Sequence, residues 1–316
     1  MKRRGLLLAS LAALPATVRA QARSGLPRVG FLFPGSAEPI FGRMRGELRR
    51  LGYVEGRTIA FEVRAAAGQS QRLPALAAEL VGLPVDVIVA TQTPAVYAAR
   101  AATTSIPIVM SSGAPVRTGL VASLARPGGN ITGMSGTSDE LGAKLLSLVR
   151  EAFPGADRVG VLANADDPFT APFLELLEHA QRPTGVTLIV ERVSAADDYA
   201  GAFAAFERQG ARAVIVQPSL RRGHAIALAT ARRLPSASPW EAFAAEGGLL
   251  AYAANRRAVE RRLVQYIDRV LKGAKPADLP VELPTEYALV VNVRAARAIG
   301  IEIPMSVLVR ADDLIE

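Results

Sequence analysis

Val85-Asp86-Val87-Ile88-Val89-Ala90 runs straight into Thr91-Gln92-Thr93-Pro94. The first six residues are too few for a helix and too uniformly apolar for a strand with one wet face, so they read as a strand buried on both sides. The small polar turn ends in a threonine placed to cap a helix and a proline suited to its first position. Helical spacing then continues over 94–103. Buried strand, polar turn and helix make one unit of a parallel sheet.

The unit recurs along the chain. Arg28-Val29-Gly30-Phe31-Leu32-Phe33 is a strand stopped by Pro34-Gly35-Ser36, with a helix over 41–51, a strand over 58–64 and a helix over 73–81. Ile106-Pro107-Ile108-Val109-Met110 is another strand and 130–134 a short one. The pattern then restarts, with helices expected over 139–152, 168–181, 199–208 and 220–233 and strands over 158–163, 187–193 and 213–217. A strand over 249–254, a helix over 258–272, a Pro-rich connection over 273–284, a strand over 287–292 and a helix over 295–299 close the chain. The fold class expected is α/β: two Rossmann-like lobes with parallel sheets, the first built from 27–136 plus about 255–284, the second from 137–254 plus about 285–316.

Residues 1–20 precede all of this. Met1-Lys2-Arg3-Arg4-Gly5-Leu6-Leu7-Leu8, an apolar run to Ala16 and a Val18-Arg19-Ala20 exit form an export signal, with cleavage expected near Ala20. Arg3-Arg4 fits twin-arginine export and equally the charge any Sec signal carries. The formal charge of +8 falls to about +4 once Lys2, Arg3, Arg4 and Arg19 are removed, and the remaining arginines are scattered pairs without interleaved aromatics, so no nucleic-acid partner is expected. With no cysteine, the chain has neither disulfides nor the acceptor a bacterial lipoprotein needs. The expected product is a soluble, monomeric periplasmic protein. His179 and His224 lack ligand spacing, so neither a metal nor any other cofactor is expected.

In parallel sheets, ligands sit outside the carboxyl ends of the strands. Five strand-to-helix turns lie there, all small and polar: Ser36 in the first, Thr91, Gln92 and Thr93 in the second, Ser111 and Ser112 in the third, Asn164 and Asp167 in the fourth, Gln217 and Ser219 in the fifth. Such residues either cap helices or, with the free N–H groups of a helix start, seat an anion. Asp167-Pro168 repeats the capping signal of Thr93-Pro94. Trp240 and Tyr252 are either core packing or walls of the same site. No catalytic set accompanies them. Gly133-Met134-Ser135-Gly136 lacks nucleophile-elbow spacing, and Arg126-Pro127-Gly128-Gly129-Asn130 has neither a Walker lysine nor a dinucleotide fingerprint.

Several longer strings carry a resemblance. Leu51-Gly52-Tyr53-Val54-Glu55-Gly56-Arg57, the helix from Arg72 to Leu80, Gly119-Leu120-Val121-Ala122-Ser123-Leu124 through Arg126-Pro127-Gly128-Gly129-Asn130-Ile131-Thr132-Gly133, Leu271-Lys272-Gly273-Ala274-Lys275-Pro276-Ala277-Asp278-Leu279-Pro280 and the closing Leu308 to Glu316 resemble a family of exported ABC-transporter substrate-binding proteins. The resemblance implies a type I periplasmic-binding architecture: two lobes, three crossovers, and a small-molecule ligand held between lobes that close by a hinge. It also implies a membrane permease and its ATPase as partners, and a ligand that is aromatic or bears a carboxylate; some relatives take up tryptophan or tyrosine. A periplasmic sensory protein presenting its ligand to a membrane receptor is the alternative. The implied ligand contacts fall on the five turns, with Trp240 and Tyr252. Three departures stand out. Ala114-Pro115-Val116 replaces Asp-Pro-Val, Ser236-Ala237-Ser238-Pro239 stands where relatives run an apolar strand, and Ala251-Tyr252-Ala253 replaces Ser-Tyr-Gly. The lost polar anchors disfavour an ordinary α-amino acid as ligand.

Overall fold

A computed structural model describes residues 25–137 and 140–316; the export signal read over 1–20, and the first residue of the helix expected over 139–152, lie outside the described residues. The first sheet contains β1 (Arg28–Phe33), β2 (Ala60–Ala65), β3 (Val87–Thr91), β4 (Ile108–Ser112) and β5 (Ile131–Ser135), in the order β2-β1-β3-β4-β5 and wholly parallel. The second contains β6 (Arg158–Asn164), β7 (Thr187–Val193), β8 (Ala213–Val216), β9 (Ser236–Ser238), β10 (Leu250–Ala254), β11 (Tyr287–Asn292) and β12 (Asp313–Ile315). Its order is β12-β11-β10-β9-β8-β6-β7.

Both faces of each sheet are covered, as the apolar strands require. On the first, α2 (Leu73–Val81) and α3 (Thr93–Ala102) bury one face, and α1 (Ile40–Arg50) with α8 (Arg256–Leu271) bury the other. On the second, α4 (Glu140–Ala152), α5 (Thr170–Thr184), α9 (Val293–Ala298) and α10 (Met305–Leu308) cover one face, and α6 (Asp198–Arg208) with α7 (Arg222–Ala231) cover the other. Each fully buried Leu or Phe of these clusters contributes about 2–3 kcal/mol of transfer free energy.

Four local expectations need correction. β10 and β11 pair antiparallel. The chain leaves the end of β10 to build α8 on the first sheet and re-enters the second sheet at that same end, with Tyr287 opposite Ala254, so β11 must run the other way. Ser236-Ala237-Ser238 is a strand after all; it is wholly buried, and Ser238 Oγ donates to the Val216 carbonyl at 2.7 Å, which replaces the water a serine would otherwise need. Thr93 lies inside α3 and exchanges a hydrogen bond with Ser112 Oγ at 2.9 Å, so it caps nothing. Asp167 belongs to a turn ahead of α5, with Thr170 N–H donating to its carbonyl at 2.8 Å. α10 and β12 carry too few residues to have stood out in the sequence.

The chain crosses between the sheets after β5, between β10 and α8, and ahead of β11. The first and third crossings run side by side: Ser135 N–H donates to the Glu282 carbonyl at 2.8 Å and Glu282 N–H to the Gly133 carbonyl at 3.0 Å. Gly133 has φ +133°, and a Cβ there would stand 2.2 Å from the Met110 carbonyl oxygen, a backbone atom that cannot step aside. Gly133→Ala should therefore lower stability by about 3 kcal/mol, combining strain with overpacking. A urea midpoint unchanged by the substitution would contradict the close approach.

Candidate functional site

Sheet order reverses at β1/β3 in the first sheet and at β6/β8 in the second. Reversal opens a crevice at the carboxyl ends of those strands, because the following helices depart to opposite faces. The two crevices face each other across a cavity of about 120 Å³ lined from both sheets. An outer cavity of about 340 Å³ adjoins it, sharing Thr91, Gln92, Trp240, Glu241 and Arg256 with the inner one.

Thr91, Gln92, Thr93, Ser111 and Ser112 line the inner cavity from the first sheet, and Asp167, Ser219 and Trp240 line it from the second. Ser36 opens onto the outer cavity. Gln92 adopts φ +63°, a strained conformation held by its N–H donating to the Ser111 carbonyl at 2.7 Å. Asn164, Gln217 and Tyr252 are not among the lining residues. Gln217 is fully buried behind the wall: its Oε1 accepts from Asn164 N–H at 2.8 Å and from Thr170 Oγ1 at 2.9 Å, while its Nε2 donates to Asp167 Oδ2 at 3.0 Å. Asn164 Nδ2 donates to Ser219 Oγ at 3.2 Å. These two amides orient Asp167 and Ser219. Tyr252 packs instead against the core beside α4 and α5, and its ring stacks on Tyr287 at 5.7 Å.

Other contributors were not foreseen. The Phe169 ring lies where a side chain at Gly113 would begin, 2.5 Å from an ideal Cβ, so the second lobe touches the backbone of the first directly. Trp240 packs against the core of each lobe. Arg117 of the first lobe pairs with Glu175 of the second at the rim. Glu260 is 4% exposed and takes Arg43 Nε and Nη2 on its two oxygens, each at 2.6 Å. That pairing raises the Arg43 pKa. Arg256 lies with its guanidinium carbon 4.0 Å from the Trp240 ring centroid, and burial lowers its pKa. The sequence signal available was a helix opening on Arg256-Arg257 with no acidic residue in its first turn.

Among the described residues no cluster of His, Cys, Asp or Glu could hold a metal. His179 and His224 are both exposed. The inner cavity is mostly apolar, and the polar groups it offers a bound molecule are hydroxyls, the Gln92 amide, the Arg256 guanidinium and the carboxylates of Asp167, Glu241 and Glu260. Burial pushes the Asp167 pKa up, against the opposing hydrogen bonds from Ser219, Phe169 N–H and Gln217. A folded carboxyl with a raised pKa holds its proton more tightly than the unfolded chain does. Its stabilising contribution is therefore complete below the unfolded value and is lost as pH rises through the folded one. Wild-type stability relative to Asp167→Asn should accordingly decline in thermal melts as pH rises above the ordinary aspartate value of about 4. A difference that grows with pH would contradict the burial effect.

The family described as ABC transporter substrate binding protein matches residues 36–315. A tyrosine-binding protein of Clostridioides difficile (strain R20291) is 26% identical over 258 residues, 79% of this chain and 73% of that protein. Among solved structures, a conserved domain protein from Vibrio cholerae O1 biovar El Tor superposes with a TM-score of 0.83 at 25% identity, covering 92% of this chain and 100% of that one. An ABC domain in complex with L-Trp from Streptococcus pneumonia gives 0.84 at 24%, with the same coverage. With two parallel-dominated sheets meeting at a shared cleft and a family match over nearly the whole chain, the protein belongs to the ABC-transporter substrate-binding proteins and is a binding protein, not an enzyme.

Proposed function

We propose that the protein captures a small solute between its two lobes outside the cytoplasm and hands it to the permease of an ABC importer powered by its ATPase. The observation that carries this reading is the cavity itself, lined by the strand-end turns of both sheets. A solute there contacts both lobes at once, so its binding favours the closed arrangement over the open one. The moving bodies are 27–136 with about 255–284 and 137–254 with about 285–316, turning about the three crossovers. Residues 1–20 act as the export signal, by the Sec or the twin-arginine route. After cleavage near Ala20, the cysteine-free product is a free periplasmic monomer.

The ligand is small and aromatic or carboxylate-bearing. Thr91, Gln92, Thr93, Ser111, Ser112, Asp167, Ser219 and Trp240 contact it, Ser36 lines its approach, and Asn164 and Gln217 act from behind. An ordinary α-amino acid fits poorly. Ala114 supplies no carboxylate, and Asp167 already accepts from three neutral donors.

Trp240 is the single tryptophan of the chain and lines both cavities, so intrinsic fluorescence reports on the cleft alone. In a thermal-shift screen of the mature protein against amino acids, aromatic acids and other small metabolites, a true ligand should raise the melting temperature by mass action and change Trp240 emission. Stabilisation without any change in emission would place binding elsewhere. Calorimetry with tryptophan and tyrosine should show no submicromolar binding; a submicromolar dissociation constant for either would overturn the exclusion of α-amino acids.

A further inference from the structure

Arg256 opens α8, and Arg257 follows it, with no acidic residue in the first turn. Positive charge at a helix start opposes the helix dipole, which favours anions there. Asn255 caps the helix by accepting from Ala258 N–H at 3.0 Å, so the arginines are not needed for that purpose. Arg257 is exposed and costs little. Arg256 is different: its side chain is only 15% exposed and lines both cavities.

A guanidinium carries five N–H donors in a fixed planar fork. Among the described residues none of those on Arg256 makes a hydrogen bond. Its nearest carboxylate oxygen belongs to Glu260, 3.5 Å away, and both oxygens of Glu260 are already engaged by Arg43 at 2.6 Å. Glu241 spends its Oε2 on the backbone N–H of Arg256, at 2.5 Å. Trp240 covers the guanidinium face, leaving the donor edge as the part still to be satisfied. The donor edge faces the cavity, where a carboxylate meets two of its N–H groups in parallel. Charge sets the limit on what enters. Asp167, Glu241 and Glu260 line the same cavity as Arg256, so one negative charge is the most that this single cation can answer before a solute faces the carboxylates.

Resting on the solute-capture reading above, we propose that Arg256 is the specificity-determining residue of the cleft and receives the carboxylate of a monoanionic ligand on its open edge. The carboxylate lies between Arg256 and the hydroxyls of Thr93 on α3 and Ser112 on β4, and the remainder of the ligand occupies the space beside Trp240.

Three acids, benzoate, phenylacetate and indole-3-acetate, each paired with its own amide, test this by calorimetric titration of the mature protein. At least one acid should bind about tenfold or more tighter than its amide, because only the acid supplies a charged, bidentate acceptor. Arg256→Gln should remove that preference while leaving amide binding unchanged, and Arg256→Lys, which keeps the charge without the fork, should restore only part of it. Arg269→Gln, in the last turn of α8 and away from both cavities, should leave acid and amide binding as they are. Equal binding of acid and amide, an acid preference surviving in Arg256→Gln, or binding by no member of any pair would each overturn the proposal. The first two outcomes leave solute capture standing. That broader reading falls only if the metabolite screen also finds no ligand that reports through Trp240. Unliganded melting temperatures of the variants separate lost recognition from lost folding.

Discussion

Parallel strands pack so that all their carboxyl ends reach the same edge of a sheet, and this constraint governs most of what the protein offers a solute. A right-handed crossover returns each helix to the starting edge, so every strand-to-helix turn accumulates at the other. Both sheets direct that edge inward. These turns start α1, α3, α5 and α7 without a side-chain cap. A cavity walled by the strand-end turns of both sheets follows from the topology before any ligand is considered. The second lobe adds depth through Gln217, whose buried amide ties Asn164, Thr170 and Asp167 into one unit. Rigid placement of a turn in this way lowers the entropy lost on binding.

The charged quartet at the mouth of α8 follows a different logic. Arg43 on α1 and Glu260 on α8 join two helices of the same lobe, while Glu241 comes from the second lobe and Arg256 opens α8. Buried ion pairs add little net stability, because desolvation offsets most of the attraction. Their effect is on orientation. Glu260, fixed by two short bonds to Arg43, holds the field around Arg256, and Trp240 fixes the plane of its guanidinium. The same residues span the junction of the lobes, so the parts that recognise a solute and the parts that meet on closure are largely shared.

Sequence reasoning reached the sheets and most of the turns, because continuous apolar runs such as Val87–Thr91 have few alternatives. It failed where meaning depends on distant neighbours. Ser236–Ser238 is polar in composition and became legible as a strand only once the Val216 carbonyl was seen to take its hydroxyl. Asn164 and Gln217 lie in the predicted turns, but strand-end position alone does not reveal whether an amide faces the cavity or supports a neighbour that does. Tyr252 could be read from its type as core or as wall, and it packs on the core. Arg256 and Glu260 sit on a helix that reads as an ordinary amphipathic segment. Their burial comes from docking α8 on the first sheet next to a tryptophan of the second, a contact between residues far apart in the chain.

The central claim is that solute is held between lobes that part and close. Because the chain has no cysteine, a single labelled pair can be introduced cleanly. Arg117 and Glu175 meet across the cleft rim and are both exposed, which suits spin labels at Arg117→Cys and Glu175→Cys. Double electron–electron resonance on the solute-free protein should give a distance distribution with a long component, which collapses to a short one when the strongest binder of the metabolite screen is added. A single distribution, identical with and without that binder, would contradict the account.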